Sequence, residues 1–144
     1  MNECLICEKH KNFPVPVIAE GKYCYLVHYQ TSPETPKMYK GHLFIETKKH
    51  CSTYAQLTDE EAQEVGLMIQ KGSKALTSVL KPEHLYTLNL GHMVDHLHIH
   101  LIPRYAGTPE EYWGGLNLHN WPEAPLIGKE EIEKLSVELK NTIR

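Results

Sequence analysis

The sequence predicts an α+β domain built on an antiparallel sheet, and three observations carry that expectation. Segments rich in branched and aromatic residues are bounded by turn signals, one long stretch shows helical spacing of apolar residues, and the run from Asp95 to Arg104 alternates imidazole with aliphatic side chains. Regular alternation of strand and helix, which would argue for a parallel sheet, is missing. At 144 residues, with 41% hydrophobic and 23% charged content, the chain suits one domain over residues 1–144. That length buries roughly two thirds of the unfolded surface without staples.

Val17-Ile18-Ala19-Glu20 and Tyr23-Cys24-Tyr25-Leu26-Val27-His28 flank Gly21-Lys22 and read as a hairpin. From Tyr29 to Lys40 two prolines and several polar residues predict a loop that borders a site. His42-Leu43-Phe44-Ile45-Glu46-Thr47 then has the content of a buried strand. Thr58-Asp59-Glu60-Glu61 is a capping box, and Ala62, Val65, Ile69, Leu76, Val79 and Leu80 recur near helical spacing, so a long helix is expected over about 58–80. Lys81-Pro82 stops it. Leu85 to Leu90 alternates as a strand, and Gly91 turns it towards the histidine strand as a hairpin. Glycines and prolines from Pro103 to Pro125 mark an irregular section, and about 129–142 reads as a last amphipathic helix.

The formal charge of −3, with Lys and Arg spread among acidic residues, leaves no basic footprint for a nucleic-acid polymer. The apolar runs are too short to cross a membrane. Met1-Asn2-Glu3-Cys4 lacks the basic and apolar segments of a secretory signal, so a cytoplasmic protein with reduced thiols is expected. Cys4 and Cys7 then read as metal ligands or redox thiols, while Cys24 and Cys51 stand apart.

The centre of interest is His96-Leu97-His98-Ile99-His100-Leu101. In a strand the three imidazoles share one face and the aliphatics the other, whereas helical steps would scatter both sets. Imidazole serves near neutral pH as nucleophile, proton shuttle, anion donor or metal ligand. A covalent histidine intermediate would split one hard phosphoryl displacement into two easier ones. His98 is centred in the row. His100 is assigned as the flanking donor to phosphate oxygens, a role worth about 2.7–4 kcal/mol in the transition state. A metal cage is the competing reading of the row, but no His-Glu-x-x-His motif supports a hydrolytic metal.

Five segments in order extend the pattern: Cys4-Leu5-Ile6-Cys7, Gly41 to Glu46 before Lys49-His50, Asn89-Leu90-Gly91, the histidine row, and Pro103-Arg104. With these the chain resembles the histidine triad family across about residues 3–105, leaving an irregular segment and terminal helix over about 106–144. The resemblance implies a five-stranded antiparallel sheet with two main helices, a homodimer, and a nucleotide hydrolase or nucleotidyl transferase acting at an α-phosphate. Candidate substrates are nucleoside phosphoramidates and dinucleoside polyphosphates. By position it makes His98 the nucleophile and Asn89 a holder of phosphate. Some bacterial relatives resemble the chain in a structural Zn2+ site, which here would be Cys4, Cys7, His50 and His96. Reduced, partly buried thiols are the alternative for the cysteine pair.

Two segments depart from the family pattern. The segment between Asn89 and the row is short, with His92 where relatives carry a glutamine, so His92 is expected to donate to phosphate or a leaving group. The acidic residue that holds ribose in relatives is replaced by His28-Tyr29-Gln30-Thr31, so His28 or Gln30 is expected to take over its contacts. These departures motivate a second expectation, a zinc-stabilised nucleotide-binding or adaptor module with little catalysis. Trp113, His119 and Trp121 follow the row and stack on a base or pack a dimer.

Overall fold

The structure, a computed structural model, describes residues 3–143. In chain order it contains α1 (Leu5–Lys11), β1 (Ala19–Glu20), β2 (Cys24–His28), β3 (Met38–Tyr39), β4 (Leu43–Thr47), α2 (Asp59–Leu80), β5 (His84–Leu88), β6 (His98–Arg104), β7 (Leu126–Ile127) and α3 (Lys129–Thr142). Five strands form an antiparallel sheet in the order β1-β2-β4-β6-β5, and β3 pairs with β7 in a small second sheet. The expected α+β architecture with two main helices, α2 and α3, is therefore present.

The capping box forms as the sequence implies: the Glu61 amide donates to Thr58 Oγ1 at 3.2 Å, and the Thr58 amide donates to Glu61 Oε1 at 3.1 Å. Lys81, in the left-handed region at φ 49°, ends α2. The apolar stripe Val65, Met68, Ala75 and Leu76 then lies on one face of the sheet, over Leu26, Leu43, Ile45, Ile99 and Leu101, with Ile132 and Leu139 of α3 beside it. Burying each such aliphatic contributes about 1.5–3 kcal/mol. Gly72 lets helix and sheet approach closely, since a Cβ there would meet Leu101 Cδ2 at 3.0 Å.

Three differences from the sequence expectation bear on the site. A seven-residue helix, α1, occupies the N-terminus and lies on the opposite face of the sheet, where His10 and Phe13 pack on Tyr25. The histidine strand begins at His98, so His96 precedes it. That strand also continues through Pro103 to Arg104, where an irregular section was expected. By then β4 pairing has ended at Leu101, so the missing N–H of Pro103 lies where only β5 is paired. Among the described residues no helix is long and apolar enough to cross a membrane.

Candidate active site

A cleft of about 680 Å³ opens on the sheet face away from α2 and α3. Its floor is His98 and His100 of β6 with Phe44 and Glu46 of β4, α1 supplies one wall through Leu5 and Lys9, and Tyr29 and Gln30 after β2 close the other end. Alternation along the strands explains the floor: Leu97, Ile99 and Leu101 point into the core, while His98 and His100 turn outwards opposite Glu46 and Phe44.

Hydrogen bonds distinguish the three imidazoles. His98 Nδ1–H donates to the His96 carbonyl at 2.6 Å, which fixes the neutral tautomer and leaves the Nε2 lone pair for the cleft. His100 Nδ1 lies 2.9 Å from Nε2 of His42, tying its ring to the next histidine along the face. His96 is turned elsewhere: its Nε2–H donates to the Thr47 carbonyl at 2.7 Å, which frees Nδ1 to point at the cysteine pair.

Burial, then the neighbouring His98, pushes His100 down to about 4. Burial followed by His100 drives His42 well below the ordinary imidazole value. Both rings are therefore neutral at pH 7. Burial works to raise Glu46, but the bond from His10 and the charge and bond of Lys9 outweigh it and hold the carboxylate below its usual range.

Cys4, Cys7, His50 and His96 lie close enough to hold a metal ion, their donor atoms all within 4.8 Å of one another. Cys4 Sγ and Cys7 Sγ stand 3.3 and 3.5 Å from His96 Nδ1, His50 Nδ1 is 3.4 Å from Cys7 Sγ, and the two imidazole Nδ1 atoms are 3.3 Å apart. Cys4 also caps α1, its sulfur accepting from the Cys7 amide at 3.4 Å. The cluster thereby fastens α1 to the end of β4 and the entrance of β6.

The remaining expected residues separate. Gln30 lines the cleft, and its buried Nε2 lacks a partner among the described residues. His28 does not reach the cleft. Strand alternation sends it inwards, where Nδ1–H donates to the Tyr29 carbonyl at 2.7 Å and Nε2 accepts from the Gly41 amide at 2.9 Å. Asn89 and His92 are exposed and lie outside the cleft lining, to which Leu90, Gly91, Met93 and Val94 contribute instead. Trp113 stacks on the Arg104 guanidinium, whose carbon is 3.7 Å from the ring centroid, and is a packing residue here. His119 borders a separate small cavity with His42 and Lys37, and Trp121 lines neither. Tyr29 opens the loop expected to border a site, whereas sequence reasoning missed Phe44, Lys9 and Glu46 as cleft residues. A signal for Glu46 existed, because a carboxylate inside the run Leu43-Phe44-Ile45 must find partners.

A family model of the HIT domain matches residues 11–107. The chain belongs to the HIT family. One HIT relative, the adenosine 5'-monophosphoramidase hnt1 of Schizosaccharomyces pombe, is 33% identical over 110 residues, 73% of this chain and 74% of the relative. The AP-4-A phosphorylase of Mycobacterium tuberculosis is 33% identical over 97 residues, 63% of this chain, and the chain spans only about half (47%) of that relative's length. A histidine triad nucleotide-binding protein from Sulfolobus tokodaii superposes with a TM-score of 0.71 at 19% identity, covering 96% of this chain and 91% of the other. That likeness shows the shared HIT fold.

Proposed function

We propose that this HIT protein is a nucleotide hydrolase or nucleotidyl transferase, working as a homodimer through a covalent nucleotidyl-histidine on His98. The observation that carries the reading is the bond from His98 Nδ1–H to the His96 carbonyl, which selects the tautomer whose Nε2 lone pair faces the cleft. In the first step Nε2 forms a bond to the α-phosphorus while the bond to the leaving group breaks. The leaving group departs with that electron pair and takes up a proton. Water, or another acceptor hydroxyl, then attacks phosphorus, the P–N bond breaks, and its electrons return to Nε2 as the attacking oxygen loses its proton. His100 N–H donation to a phosphate oxygen suits a neutral ring. The unpaired Gln30 amide suits a ribose or phosphate oxygen, whereas the exposed Asn89 and inward His28 are left out of this assignment.

The metal cluster supports a structural zinc. With about 2.3 Å to sulfur and about 2.0–2.1 Å to nitrogen, tetrahedral zinc sets neighbouring donors about 3.3–3.8 Å apart, in keeping with the separations of 3.3–3.5 Å involving the two histidines. Zinc held by Cys4, Cys7, His50 and His96 would lock α1 to the sheet, and the Thr47 carbonyl already orients His96 for it.

The test is a panel of nucleoside phosphoramidates and dinucleoside polyphosphates, combined with acid-quench trapping of the histidine adduct. His98→Ala is expected to abolish turnover and adduct while retaining fold and nucleotide affinity. Undiminished turnover in that variant refutes the reading. Tight nucleotide binding by the wild type with no turnover across the panel points instead to a binding module, which the outward placement of Asn89 favours.

A further inference from the structure

A nucleotide brought to His98 carries negative charge, and the cleft offers little to meet it. His100 and His42 are neutral for the reasons given above. Among the cleft-lining residues the fixed charges are Glu8, Lys9 and Glu46, so Lys9 alone is a fixed cation. This lysine is held in place. Its ammonium bonds to the Glu46 carboxylate, which has no exposed surface and also bonds to His10 Nε2 at 3.0 Å. One bond to Glu46 leaves two of the three ammonium protons for other acceptors, and the side chain keeps 17% of its surface open.

Strand register fixes where that cation sits. Glu46 pairs with His98 and Phe44 with His100, and the next step along the sheet brings Tyr29 beside His42. The Lys9 ammonium lies 5.6 Å from the Phe44 ring centroid, and Phe44 stands edge-on to His98 and His100 at 5.4 and 4.7 Å. Register thus puts Lys9 on the Glu46–His98 side of Phe44 and Tyr29 on its His42 side, with the Tyr29 ring 4.7 Å from that of Phe44. A phosphorus on His98 bears two large substituents, the nucleoside and the group to be displaced, and they cannot share one end. An aromatic face with an unpaired amide suits a nucleoside. An ammonium suits an anion.

We propose that Lys9, positioned by Glu46, binds an anionic leaving group and so favours substrates whose displaced group carries phosphate over those that release a neutral amine. This rests on the nucleotidyl-histidine reading, and the test separates the two. In a His98→Ala background, calorimetric titration with ADP and AMP compares ligands that differ by one phosphate. Adding Lys9→Met is expected to weaken ADP about tenfold or more and AMP by less than about twofold, with Lys9→Arg close to its parent. In the active protein, Lys9→Met is expected to lower kcat/KM for diadenosine tetraphosphate by a similar factor while sparing adenosine 5'-phosphoramidate. Equal losses within either pair, no loss, or no measurable ADP binding overturns the proposal and leaves Lys9 as a fastener of α1. If the active protein turns over neither substrate, the covalent reading fails, and the ADP–AMP comparison still decides the role of Lys9.

Discussion

Acidification from pH 7 to pH 5 should cost the wild-type protein about 2 kcal/mol more stability than it costs His28→Gln. The His28 ring is fully buried, with Nδ1–H donating to the Tyr29 carbonyl and Nε2 accepting from the Gly41 amide. A second proton on Nε2 would face that amide donor in a dry site. Burial therefore pushes the imidazole from 6.5 to about 4, the Tyr29 carbonyl offsetting only part of the effect. Because the folded value lies below the unfolded one, the unfolded chain binds more protons between these pH values. The contribution is intact above pH 6.5 and drains as pH falls towards 4. The whole shift corresponds to about 3 kcal/mol, of which about 2 kcal/mol is lost by pH 5. Urea unfolding followed by circular dichroism at both pH values and one ionic strength reads the difference. Glutamine keeps an acceptor for Gly41 without titrating, so its overall stability does not enter the comparison. Equal acid losses in the two proteins would refute the buried neutral imidazole.

Metal analysis of untagged protein is expected to find zinc, and Cys4→Ser or strong chelation should remove it and lower Tm by several degrees, which differential scanning calorimetry measures. Unchanged metal content in Cys4→Ser would contradict the ligand set. Gln30→Leu, which removes the unpaired amide but keeps its bulk, should raise KM about three- to tenfold with kcat nearly unchanged if that amide meets the nucleotide. Steady-state kinetics on the best substrate of the panel checks this, and a fall in kcat alone would argue for a different role.

Long elements with their own signals were legible in the sequence. The capping box and apolar spacing mark α2 to within a residue of Asp59–Leu80, and α3 falls at Lys129–Thr142 as expected. The short α1 was not, because Ile6 is its only buried residue and Leu5 is 72% exposed, which leaves no periodicity to read. The pairing of β3 with β7 joins two-residue strands far apart in sequence, beyond any local pattern. Within the site, the grouping of Cys4, Cys7, His50 and His96 followed from the family resemblance rather than from spacing, and their donor atoms lie within 4.8 Å of one another. The placement of His28 was misjudged although parity carried the answer: Cys24 and Leu26 face the core, so His28 follows them and Tyr29 takes the outer face. Glu46 was half legible: a carboxylate beside Leu43-Phe44-Ile45 must find partners, but those partners lie 36 and 37 residues away on a helix the sequence did not announce.

That helix links the two halves of the site. Seven residues are too few to hold a helix in water, so α1 borrows its order from what it touches. Cys4 and Cys7 anchor its first turn to His50 and His96, while Lys9 and His10 anchor its last turn to Glu46. His96 belongs to both arrangements: its ring joins the cysteine–histidine cluster and its carbonyl holds the tautomer of His98. The cleft wall and the His98 ring therefore depend on one short segment, and the cysteine–histidine cluster positions groups it does not touch. A metal here needs no catalytic step of its own to matter, because the geometry of Lys9, Glu46 and His98 rests on the helix and the backbone that it would fix.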